Sequence, residues 1–289
     1  MRRAGLWRLA PAAALFASSA ANAGLTRSRI FQPPADALAL DGLPAGSALV
    51  DVKTGDGLAL KGLVLRPTGD KPTLLVFHGN GSSAADALRW LAPLAAEGYG
   101  IVAAEYRGYS RNPGTPSEAG LAQDALAFYD LARGFAGQGR LIVLGHSLGG
   151  GVAIDLAAQR KLDALVTVGT FVSIPAISPK LARAFITDKF DNLAAVPALD
   201  EPYFIVHGLK DETISPGNGN ALHVAAAKAG LQGMSFVVAD GGHKPDGALM
   251  PRIMERVTAY LAGDRPTTQL SSPPITIVPF AQAERAGAP

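Results

Sequence analysis

Ser147 stands in Gly145-His146-Ser147-Leu148-Gly149-Gly150, a Gly-x-Ser-x-Gly pattern. A hydroxyl is a weak nucleophile until a base takes its proton. Glycines two before and two after leave room for a sharp strand-to-helix turn that exposes it. The setting adds weight. The pattern follows the apolar run Leu141 to Leu144 and opens a segment rich in Ala, Val and Leu, where a helix N-terminus would favour an oxyanion. The plain alternative is a glycine-rich turn capped by serine. Of the five histidines, His243 is the base candidate. It lies in Gly241-Gly242-His243, between the last apolar run and the final helical pattern. His146 should be turned away from Ser147 by the elbow. His78 and His207 end apolar runs as His-Gly and suit structural hydrogen bonds, and His223 suits the surface of a helix. An acid must orient the base. Asp211 follows Tyr203 to Val206, at the carboxyl end of the penultimate strand, where an active crevice forms. Glu212 is a rival beside it. Asp200 precedes that strand, at the wrong end, and Asp240 and Asp246 read as loop acids close to His243. The order Ser147, Asp211, His243 matches a strand–turn–helix elbow with its partners downstream. Two oxyanion donors are expected: the backbone N–H of Leu148, and that of Asn80 in His78-Gly79-Asn80-Gly81-Ser82-Ser83. A phosphate loop there would need Gly-Lys-Ser/Thr, which is absent.

Positioning these residues requires a parallel sheet. Short apolar runs at Leu74–Phe77, Ile101–Ala104, Leu141–Leu144, Leu165–Val168, Tyr203–Val206 and Phe236–Val238 lack polar alternation, as strands buried on both faces do. Between them, Leu121, Ala125, Phe128 and Leu131 recur at helical spacing, as do Leu249, Ile253, Val257, Tyr260 and Leu261. Upstream, two strand-like runs (48–54 and 58–65) flank Gly55-Asp56-Gly57 and predict a β-hairpin. A hairpin followed by βα units predicts a three-layer α/β sandwich over 47–263. Residues 24–46 read as an extended lead-in. Residues 171–201 read as a short apolar insertion over the sheet, with one or two helices. Residues 264–289 read as a Pro-rich, mostly unstructured tail, with a short edge contact at Ile275 to Phe280.

The composition excludes several classes. No cysteine is present among the 289 residues, which removes disulfides, zinc-thiolate sites and thiol catalysis. Residues 1–23 read as a secretory leader: Arg2 and Arg3, then apolar Leu9 to Ala17, then Ala21-Asn22-Ala23 before cleavage. The apolar stretch is too short to span a bilayer, which takes about 20 residues. Outside that leader there are 23 basic and 24 acidic residues, so nothing suggests nucleic acid as a partner. The mature chain is expected to be exported, with no transmembrane span.

Taken together, HGNG (78–81), EYRGYS (105–110), PSEAG (116–120), GHSLGG (145–150), DKFDN (188–192), HGLKDETISP (207–216) and GGH (241–243) resemble the α/β-hydrolase superfamily. They are closest to its small-lid branch of serine-aminopeptidase-like hydrolases and acyl-protein thioesterases. The resemblance implies a three-layer α/β-hydrolase fold with a mostly parallel sheet, a short lid at 171–201 and a Ser147–Asp211–His243 triad. It also implies that Tyr106, Arg107 and Gly108 shape the crevice rather than perform chemistry. Ser110, where that branch more often has Gly, and Lys244-Pro245-Asp246 after His243 depart from its pattern. The implied activity is hydrolysis of a carboxylic ester or thioester of a small or lipid-like acyl compound, with no metal or organic cofactor. An aminopeptidase, an acyltransferase and a catalytically silent binding protein on the same scaffold are the alternatives.

Overall fold

The structure is a computed structural model that describes residues 27–280 apart from Arg29. The expected leader and residues 281–289 lie outside the described residues. Among the described residues, ten strands form one sheet in the order β1-β2-β4-β3-β5-β6-β7-β8-β10-β9. β1 (Ala48–Lys53) and β2 (Ala59–Leu65) are the expected hairpin, and β2 lies antiparallel to β4 (Gly100–Ala104). From β4 onward the sheet is parallel through β3 (Thr73–Phe77), β5 (Leu141–His146), β6 (Ala164–Val168), β7 (Tyr203–Gly208) and β8 (Gly233–Val238). Each covers an apolar run named above, because a strand between two helical layers has no water-facing side.

Helices cover both faces. α1 (Ala84–Trp90), α2 (Ala92–Ala96) and α8 (Met250–Leu261) pack on one side, where Leu88, Leu94, Ile253 and Val257 meet Leu74, Val76, Ile142 and Val166. α3 (Glu118–Ala136), α4 (Leu148–Ala157) and α7 (Pro216–Lys228) pack on the other, where Leu121, Phe128, Val152 and Leu222 meet Leu75, Phe77, Val143 and Leu165. Ser83 and Ser117 start α1 and α3 by accepting the N–H groups of Asp86 and Gly120, the local signal that ends the preceding loops. The insertion after β6 holds α5 (Ile174–Ile177), a 3-10 turn at Lys180–Phe185 and α6 (Asn192–Ala195).

The reading of residues 264–289 as mostly unstructured is corrected through residue 280, while the edge contact expected at Ile275 to Phe280 is present. The Pro-rich stretch after Gly263 is structured through residue 280: β9 (Leu270–Ser272) pairs with β10 (Ile275–Pro279), which runs antiparallel along β8. The physical reason is twofold. Ile275 and Ile277 alternate into the core, and β10 satisfies the edge that β8 would otherwise present to water.

Candidate active site

The connections that leave the carboxyl ends of β3, β5, β7 and β8 carry Asn80, Ser147, Asp211 and His243 respectively. Ser147 sits between β5 and α4 at φ 53° and ψ −116°, a conformation costing a non-glycine residue about 1–3 kcal/mol. The turn is held by Ser147 N–H donating to Val168 O at 2.9 Å and Gly150 N–H donating to Ser147 O at 2.9 Å. It is so tight that a Cβ at Gly145 would strike the Gly149 backbone, and one at Gly149 the Phe77 carbonyl. The hydroxyl does not cap its own helix and is left to face the cavity.

His243 Nδ1 donates to Asp211 Oδ2 at 2.9 Å, and the Asp211 side chain is fully buried. Its other oxygen accepts the N–H groups of Thr213 (2.9 Å) and Ile214 (2.8 Å), which fixes the carboxylate plane. The rivals stand elsewhere. Asp240 is exposed and paired with Lys210, Asp246 caps a turn through Ala248 N–H, and Glu212 is exposed. Gly169, just past β6, lies beneath the pair, and a Cβ there would come within 2.6 Å of His243 O.

The remaining histidines have distinct places. His207 Nε2 lies 2.9 Å from Ile214 O and 3.3 Å from Asp211 Oδ2, so it braces the acid as well as the β7 turn. His146 Nε2 bonds His243 O at 3.1 Å, with the rings 4.9 Å apart. Desolvation, helped by the neighbouring His243, pulls its pKa down to about 3, which keeps it neutral. His78 lies at the base of the Asn80 loop, bonded through Nε2 to buried Glu105 at 2.9 Å and through Nδ1 to Gly79 O at 2.9 Å. His223 departs from its expected surface position: it is half-buried on α7, bonded to Ser235 Oγ and set edge-on to Phe280. The ordering of β10 brings Phe280 there.

Asn80 is held by its side chain, whose Oδ1 accepts Tyr109 Oη–H and Gln32 N–H, both at 2.8 Å. Tyr106 Oη donates to His78 O at 2.8 Å, and Arg107 is spent on Asp124 and Asp56. Trp90 was not singled out from the sequence. Its Nε1–H donates to Pro245 O at 2.8 Å and steadies the loop that carries His243. No local pattern announces it, since its partner lies 155 residues away.

Ser147, Leu148 and Asn80 open onto a cavity of about 800 Å³. Phe171, Ile174, Ile177, Leu181, Phe185 and Ile186 stand in its lid-side wall, and Ile30, Thr213 and Ile214 also line it.

A fold of this topology with an elbow serine defines the hydrolase class, and the comparisons agree. The family model described as serine aminopeptidase, S33, matches residues 69–198. An uncharacterized protein of Mycobacterium tuberculosis is 32% identical over 222 residues, covering 73% of this chain and 77% of that one. Protein bem46 of Schizosaccharomyces pombe is 30% identical over 58% of this chain and 61% of its own. Among solved structures, a Pyrococcus furiosus esterase superposes with a TM-score of 0.63 at 18% identity, over 82% of this chain and 98% of that chain. The chain belongs to the α/β-hydrolase superfamily.

Proposed function

We propose that this protein is an exported serine hydrolase that cleaves a carboxylic ester or thioester of an apolar acyl chain. The observation that carries the reading is the placement of Ser147, on a positive-φ elbow lining an apolar cavity, with the His243–Asp211 pair on the connections after β8 and β7 at the same carboxyl edge of the sheet. His243 Nε2 takes the serine proton as Oγ attacks the acyl carbonyl. The Leu148 and Asn80 N–H groups hold the oxyanion, and Asp211 stabilises the imidazolium. The protonated His243 then hands its proton to the leaving alkoxide or thiolate. Water activated by the same imidazole hydrolyses the acyl-enzyme.

The cavity walls favour an acyl chain over an amino-terminal substrate. A substrate ammonium would call for a carboxylate, and among the described residues no Asp or Glu lines the cavity. Export is supported by the Arg2-Arg3, Leu9–Ala17 and Ala21-Asn22-Ala23 pattern. No helix among the described residues is long and apolar enough to cross a membrane.

A fluorophosphonate probe should label the purified protein, and Ser147→Ala should abolish both labelling and nitrophenyl ester hydrolysis. Labelling that survives the substitution would refute the assignment. The amino-terminal sequence of the exported protein should begin at Gly24.

A further inference from the structure

The lead-in does more than connect. The described residues from 27 to 35 cross from the lid to the Asn80 loop and touch both. At the lid end, Arg27 Nε donates to Asp188 Oδ2 at 2.8 Å, and Asp188 is only 3% exposed. Asp188 also accepts Glu118 N–H at the start of α3, while the Glu118 carboxylate accepts the Lys189 and Phe190 N–H groups. Phe31 is buried edge-on against Phe190, with ring centroids 6.4 Å apart. At the other end, Gln32 N–H bonds Asn80 Oδ1, and Pro34 O accepts Ser110 N–H at 3.1 Å. Between these anchors, Ile30 faces the cavity that holds Ser147.

The contacts of Arg27, Phe31, Gln32 and Pro34 make a seated strap rather than a loose linker. Its two ends are tied to the two parts of the site that must keep their spacing, the lid and the oxyanion loop. It also lies outside the 69–198 segment that the family model matches, so what it contributes need not be shared across that family.

We infer that residues 27–35 form a strap closing one side of the acyl cavity, and that Ile30 is a specificity-determining residue that sets which acyl chains reach Ser147. The inference rests on the acyl-hydrolase reading above. A branched side chain on the wall limits the width open to a chain passing it. Shortening it widens the path, and a larger ring obstructs it. A change of one or two methylenes in an apolar pocket is worth roughly tenfold or more in discrimination.

The test uses the full-length chain and two alkyl fluorophosphonates, one ethyl and one dodecyl, with labelling rate constants measured for wild type, Ile30→Ala and Ile30→Trp. This readout needs no knowledge of the natural substrate. Ile30→Trp should lower the dodecyl-to-ethyl rate ratio about tenfold. Ile30→Ala should raise the ratio. Thermal melts identify a variant that has lost its fold, in which case the other variant decides. A ratio unchanged in the folded variants, with wild type labelled normally, overturns the strap's role alone. Absence of labelling in wild type overturns the hydrolase reading, and the strap proposal with it.

Discussion

Asp211 gathers more partners than any other candidate acid: two backbone N–H groups on one oxygen and the His243 and His207 imidazoles on the other. Asp211→Asn should therefore lower the turnover number by about 10⁴, by presenting an amide that no longer holds the His243 tautomer. Asp240→Asn should leave it within about twofold, since that carboxylate is exposed and paired with Lys210. Steady-state hydrolysis of a nitrophenyl ester separates the two. His146 invites a different expectation. With its pKa held to about 3 it carries no charge in the working range. In His146→Asn the pH–rate profile between pH 5 and 9 should keep the position of its acid limb, even if the rate falls through loss of the bond to His243 O. A shifted limb would show that His146 titrates with the site.

At the scale of elements, β10 carries the clearest consequence. Ile275, Ile277 and Phe280 are all buried, and each deletion of such a side chain costs about 2–5 kcal/mol. A chain ended after Gly263 should melt at least about 10 °C lower. It should also scatter light at micromolar concentration, because β8 becomes a bare edge. Calorimetry and light scattering check both. The strands of the parallel sheet were legible as apolar runs because burial on both faces erases alternation. β10 was legible only as a short edge contact, because Pro273-Pro274 and the polar residues around it read as a tail. What makes it a strand is the pairing offered by β8, which is not written in its own sequence.

For the molecule as a whole, two buried groups oppose each other in pH. Glu201, at the amino end of β7, has a carboxyl oxygen with no partner, and burial lifts its pKa from the usual 4.5 to about 7. The fold then favours the protonated form. Its contribution is complete below pH 4.5 and is lost as pH rises to about 7. His146 runs the other way. The fold favours its neutral form, so stability declines as pH falls from 6.5 toward 3. Glu201→Gln should raise the melting temperature by about 5 °C at pH 8 and change it little at pH 4. Equal effects at the two pH values would place the Glu201 carboxyl in contact with water.

The sequence by itself determined the fold class, the elbow at Ser147 and the order of the candidate triad. Those depend on local features: glycine spacing, apolar runs and the loops that follow them. It could also rank Asp211 over Asp200, because strand direction is implied by chain order in a parallel sheet. The tertiary structure alone decided which neighbours support those residues. His207 against Asp211, Trp90 against the His243 loop, Gln32 against Asn80 and Arg27 against Asp188 are contacts of side chains or backbone groups. Three of these four join residues at least 48 apart. Such pairs leave no periodicity to read. They exist because the sheet brings its strand ends to one rim, and every loop that reaches that rim must satisfy its polar groups against whichever others arrive there.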